Sequence, residues 1–110
     1  MEFKDFKDWL KKLKMASENL VVLVEGKRDV QALKKYGIRN IMDLSGKKFA
    51  DIPDLIEGKY EGAILLFDLD EKGERINSNI REILRSQGFV VMEDFREFLK
   101  EKGIEYIEDI

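Results

Sequence analysis

The chain has no cysteine and no histidine, and proline occurs once in 110 residues. Without cysteine there is no disulfide framework, and without either residue there is no ordinary zinc site. Imidazole acid–base chemistry and thiol nucleophiles are excluded with them. Any metal held by this chain must sit on oxygen ligands, which favours Mg²⁺, Mn²⁺ or Ca²⁺. Long apolar runs are missing too: Leu20 to Val24 is an uninterrupted stretch of only five residues. That excludes a membrane span and a secretory signal core, so no membrane partner is expected and the expected location is the cytoplasm.

What is present is charge. Lys and Arg number 20 and Asp and Glu 23, giving a net of −3. The balance is uneven along the chain. Residues 1–48 carry 12 basic and 7 acidic side chains, whereas residues 49–110 carry 8 and 16. A basic half therefore precedes an acidic half, a pattern that allows a basic face beside an acidic cleft. Apolar residues make up 44% of the chain, enough for one core, so residues 1–110 are expected to form a single domain.

Hydrophobic patterning alternates between two periods. Residues 3–14 place Phe3, Phe6, Trp9, Leu10 and Leu13 at helical spacing, which predicts an amphipathic helix within residues 1–17. Residues 20–24 and 62–67 are continuous apolar runs, as expected of strands buried on both faces. Shorter strands are predicted at 40–44 and 89–92. Helices are predicted from Val30 and Leu33 to a stop at Gly37, around Pro53 to Gly58, from Asp70 to about Gln87, and through Phe95, Phe98 and Leu99. The segment 104–110 reads equally well as extended or as loose chain. Strands alternating with helices predict an α/β fold with a doubly wound, mainly parallel sheet of four strands and helices on both faces.

Ligands of open α/β sheets bind beyond the carboxyl ends of the strands, where the strand order reverses. With the order 2-1-3-4 that point lies between the first and third strands. Glu25 ends the first, and Asp68 and Asp70 follow the third, so three carboxylates are expected at one crevice. Alternate residues of extended chain point the same way, which lets Asp68 and Asp70 face one cation. Crowded carboxylates repel unless a metal or a basic neighbour such as Lys27, Arg28 or Lys47 offsets them. Each acid also has a plainer role open to it: Asp70 as the cap of the following helix, and Glu25-Gly26 with Asp29 as a tight turn into the next one.

Two of these segments, VVLVEGKRDVQAL and AILLFDLDEKGERI, resemble the Toprim domain of topoisomerases, primases, RecR repair proteins and certain nucleases. The family pattern is a strand ending in Glu-Gly-x-x-Asp and, farther on, a strand ending in Asp-x-Asp-x-x-Gly. The chain matches at Glu25, Gly26 and Asp29 and at Asp68, Asp70 and Gly73, and the likeness covers residues 18–92. It implies a Rossmann-like three-layer fold, with residues 93–110 as a C-terminal helix and tail. It also implies Mg²⁺ or Mn²⁺ on Asp68 and Asp70, with Glu25 either a third ligand or the general acid/base. Gly26 would let a phosphate approach the backbone beside Lys27, Arg28 and Lys47, and Asp29 would support the turn. Gly73-Glu74 is similar to the branch that cuts structured RNA precursors. The implied function is divalent-dependent phosphodiester chemistry on RNA or DNA, as a nuclease or nuclease-like protein. The alternative is a non-catalytic metal- or nucleic-acid-binding adaptor in a larger complex. A protein partner supplying a further domain, and a homo-oligomer, are compatible with either.

One feature of the basic half stands apart from these motifs. Lys4, Lys7, Lys11 and Lys14 fall within an arc of about 80° on the first helix, at 100° per residue. Such a stripe suits a nucleic-acid backbone, but lysine stems snorkelling along an ordinary surface helix give the same pattern and are commoner.

Overall fold

The computed structural model describes all of residues 1–110 as alternating helices and strands. In chain order these are α1 (Phe6–Ala16), β1 (Leu20–Val24), α2 (Lys27–Lys34), β2 (Ile41–Asp43) and α3 (Ile52–Ile56). They continue with β3 (Gly62–Leu65), α4 (Glu71–Ser86), β4 (Val90–Met92) and α5 (Asp94–Glu101). Single 3₁₀ turns cover Phe49–Asp51 and Ile107–Asp109. All strand pairs are parallel, in the order β2-β1-β3-β4.

Burial on both faces explains why the two central strands lack polar alternation. Leu20, Val22, Val24, Ile64 and Leu66 face one core with Trp9 and Leu13 of α1, Leu33 of α2, and Phe95 and Leu99 of α5. Val21, Leu23, Ala63, Leu65 and Phe67 face the other with Ile52 and Ile56 of α3 and Ile80 and Leu84 of α4. The result is helices, sheet and helices in three layers. No helix is long and apolar enough to cross a membrane.

Three expectations need correction. The first helix begins at Phe6, because the Asp5 carboxylate caps it by accepting from the Asp8 N–H at 2.8 Å. Phe3 lies ahead of that cap and joins the same apolar patch from outside the helix, its ring 5.0 Å from Phe95 and 5.4 Å from Phe98. Pairing of the third strand stops at Leu65 rather than 67, although the Leu66 N–H still donates to the Leu23 carbonyl at 2.9 Å. The outer strands are also shorter than predicted, three residues each. The tail is ordered: Ile107 is fully buried in the core, and its 3₁₀ turn packs against α2.

Trp9 is the largest wholly buried side chain, and its indole N–H donates to the Phe95 carbonyl at 2.9 Å. This bond ties α1 to the start of α5 across the core. Trp9→Phe is expected to cost about 2 kcal/mol, since the buried bond between α1 and α5 is lost along with part of the packing. A shifted urea midpoint at unchanged slope would show this. An unchanged midpoint would reduce Trp9 to a space filler.

Candidate metal and phosphate site

Because β1 and β3 are neighbours and parallel, the residues that follow them emerge at one edge of the sheet. Glu25 leaves β1 half-buried, and its Oε1 is enclosed with no hydrogen-bond partner. An enclosed carboxylate oxygen without a donor is costly unless something else meets it.

Asp68 and Asp70 stand across from it after β3. The Asp68 Oδ1 accepts from the Ile107 backbone N–H at 2.9 Å. Asp70 Oδ1 accepts from the Gly73 N–H at 2.7 Å and caps α4. The cap role and a ligand role therefore use different atoms, since each aspartate keeps an Oδ2 that makes no hydrogen bond within the chain. Asp29, only 7% exposed, accepts from the Gly26 N–H at 3.1 Å and fixes the turn into α2.

The acids of the crevice influence one another electrostatically. Burial pushes the Glu25 carboxyl above the ordinary range; Asp68 and Asp70 push it further, against Lys72. Burial also raises Asp68, opposed by the Ile107 hydrogen bond; Asp70 and Glu108 add to the rise, and Arg96 works against it. Asp29 is raised in the same way by burial, against its Gly26 bond, with contributions from Asp68 and Glu108. The Tyr106 hydroxyl is raised by Glu105 first, then burial, Asp70 and Asp68. The C-terminal segment thus lies beside the acids, a placement that its sequence carried no signal for.

Asp68 and Asp70 act on Glu25, and Asp70 on Asp68, yet no three acidic side chains form a ready-made cation cage. The reason is visible in the bonds that aim Asp68 towards Ile107 and Asp70 towards Gly73. Mg²⁺ does not need such a cage, because it keeps several waters and is held by one or two carboxylates plus phosphate oxygens. Hard oxygens, mutual repulsion and an orphaned Glu25 oxygen fit that ion.

The basic neighbours differ from those expected. Lys47 pairs with Asp43 at 3.6 Å, so its charge is already engaged at the end of β2. Lys27 and Arg28 are exposed on the first turn of α2 and make no ion pair. The cations that act on the acids are Lys72, in the first turn of α4, and Arg96, from α5. Lys72 is close to the motif in sequence and could have been found there. Arg96, set among Phe95, Phe98 and Leu99, could not. Of the expected lysine stripe, Lys7, Lys11 and Lys14 lie on α1 while Lys4 precedes its Asp5 cap; all four are exposed, line a shallow groove with Leu10 and Tyr36, and form no ion pair.

At Gly26 a Cβ would meet nothing within 4 Å, so the chain's own packing does not demand glycine there. At Gly73 a Cβ would fall on the Asp68 carbonyl oxygen.

Comparison with known proteins adds independent findings. The Toprim domain pattern matches residues 20–101. A UPF0292 protein of Pyrococcus furiosus is 37% identical over 93 residues, covering 82% of this chain and 70% of that protein. A UPF0292 protein of Methanocaldococcus jannaschii is 30% identical over 91 residues, covering 81% and 71%. The DNA primase DnaG of Thermofilum pendens is 38% identical over 71 residues, which is 63% of this chain but 16% of the primase. Among solved structures, a putative protein from Aquifex aeolicus superposes with a TM-score of 0.94 at 55% identity, over 97% of this chain and 99% of that one.

Proposed function

Because the chain belongs to the Toprim domain family, whose domains process nucleic acid, we propose that it carries out Mg²⁺-dependent phosphodiester chemistry on RNA or DNA, as a nuclease or nuclease-like protein. The observation that supports this most is the enclosed, unpartnered oxygen of Glu25, whose carboxyl feels Asp68 and Asp70 at the sheet's switch point. The name of the primase relative supports nucleic acid as the partner.

In this reading the Oδ2 atoms of Asp68 and Asp70 hold the cation, which when bound supplies charge stabilisation to a phosphoryl oxygen. Glu25 has the environment of a proton carrier. Its carboxyl is raised by burial and by Asp68 and Asp70 in the metal-free crevice, and beside a bound cation it would serve either as a further ligand or as the general acid/base. The open space at Gly26 leaves the backbone approachable by a phosphate, and Asp29 holds that turn in place. Lys27 and Arg28, unpaired on the first turn of α2, are placed to meet neighbouring phosphates.

A Mg²⁺ and Mn²⁺ titration by calorimetry, on wild type and on Asp68→Asn/Asp70→Asn, tests the reading. Saturable binding that disappears in the double variant is the expected result. Equal behaviour of the two proteins, both alone and with an oligonucleotide present, would overturn it. The acidic net charge of −3 favours one rival, a non-catalytic metal- or nucleic-acid-binding adaptor. That rival predicts metal or oligonucleotide binding with no divalent-dependent cleavage.

A further inference from the structure

Arg96 is the only basic side chain buried in the protein, 3% exposed, on a helix that otherwise sends Phe95, Phe98 and Leu99 inward. Its Nε donates to the Phe67 carbonyl at 2.9 Å, and its Nη2 donates to the Asp68 carbonyl at 2.7 Å and to the Glu74 Oε1 at 3.0 Å. A buried guanidinium is an expensive way to gain stability, since a well-packed apolar side chain of similar volume often does as well or better. The destination of its bonds therefore carries the information.

Those bonds go to two consecutive carbonyls just past the end of β3. The β4 strand pairs only with Gly62 to Ile64, and β1 pairs with β3 as far as Leu65. Beyond that point the chain must turn into α4 without a strand beside it. Backbone carbonyls at such a place need another donor, and a planar fork reaches two of them at once. The C-terminal segment completes the hold. The Leu69 N–H donates to the Glu105 carbonyl at 2.7 Å, and the Ile107 N–H donates to the Asp68 carboxylate.

We infer that Arg96 is a positioning residue of the acidic site: it stands in for the strand partner that residues 67–68 lack, and by fixing the Asp68 backbone it aims the Asp68 carboxylate. The part of this inference that concerns metal rests on Asp68 being a cation ligand. The part that concerns local order does not. Lysine at 96 keeps the charge but cannot serve both carbonyls with the same geometry, so charge alone does not satisfy the role.

Two variants of the full chain, Arg96→Lys and Arg96→Met, test it through thermal unfolding, amide hydrogen exchange and Mn²⁺ titration. Both are expected to bind Mn²⁺ about 10- to 100-fold more weakly, as when other groups that orient metal ligands are removed. The amides of Leu69 and Ile107 should exchange at least about tenfold faster, while those of α2 and β2 keep their protection. Wild-type protection at Leu69 and Ile107 in both variants would overturn the inference, as would wild-type Mn²⁺ affinity in both. Should the wild type bind no Mn²⁺, the exchange rates alone decide, and only the metal reading fails. Should Arg96→Met not fold, Arg96→Lys carries the test.

Discussion

Asp68→Asn is expected to remove divalent-dependent cleavage, a loss of about a thousandfold or more, while making the metal-free protein more stable. The first effect follows from the proposed function, in which Asp68 is a charged ligand of an oxygen-only site. The second follows from the electrostatics of the crevice. Burial and neighbouring acids raise the Glu25, Asp29 and Asp68 carboxyls in the fold. A carboxyl that binds its proton more tightly folded than unfolded destabilises the fold as pH rises from the ordinary carboxylate range through the raised one. Asparagine removes one such group and the repulsion it exerts on Glu25 and Asp29. Its amide oxygen still accepts from Ile107.

The crevice is partly open to solvent, which screens these interactions, so the expected gain is about 1 kcal/mol near neutral pH. The difference in melting temperature between variant and wild type should be widest at about pH 7 to 8 with chelator present. It should close as pH falls towards about 4, where the unfolded chain also holds the proton. Added Mg²⁺ should raise the wild-type midpoint and leave that of the variant in place. A variant less stable than wild type across the whole range would show that the Asp68 carboxylate contributes more as a structural acceptor than it costs as a crowded charge.

Gly73→Ala is expected to destabilise the protein by about 3 kcal/mol, against the direction that helix propensity predicts. Gly73 lies in the first turn of α4, and alanine inside an exposed helix is ordinarily better than glycine by about 1 kcal/mol. Here the missing side chain makes room for backbone. A Cβ would clash with the Asp68 carbonyl oxygen and lie 2.6 Å from its carbon, and neither atom can yield as a flexible side chain would. The same carbonyl is the one that Arg96 holds, and the Gly73 N–H is the one that Asp70 caps. Moving α4 away would loosen both acids together. Urea denaturation gives the energy, and a Mn²⁺ titration of the folded fraction gives the cost to the site. A variant stabilised by about 1 kcal/mol would show that the contact is soft and that propensity decides.

The glycine of the Asp-x-Asp-x-x-Gly pattern is thus legible as a motif, while its reason is not. The same division runs through the molecule. Apolar runs at 20–24 and 62–67 announce strands buried on both faces, because burial on both sides removes polar alternation from the chain itself. Parallel pairing follows from those runs and the rules of α/β connection, and given the order β2-β1-β3-β4 so does the meeting of Glu25 with Asp68 and Asp70. Everything in that set is either local along the chain or common to all folds of the class.

What tertiary structure decided is which remote groups reach the acids. Arg96 is 28 residues from the carbonyl of Asp68 that it holds, and Ile107 is 39 residues from the carboxylate it bonds. Lys27, Arg28 and Lys47 are basic and near the motifs, yet Lys47 is taken by Asp43 while Lys72 and Arg96 act on the site. Phe3 continues the periodicity of α1 without belonging to it, because Asp5 caps the helix after it. Periodicity records which face of a segment is apolar, and that much a sequence determines by itself. The choice of cation, cap and backbone clamp depends on how α5 and the C-terminal segment dock against the end of β3, and packing through space sets that docking.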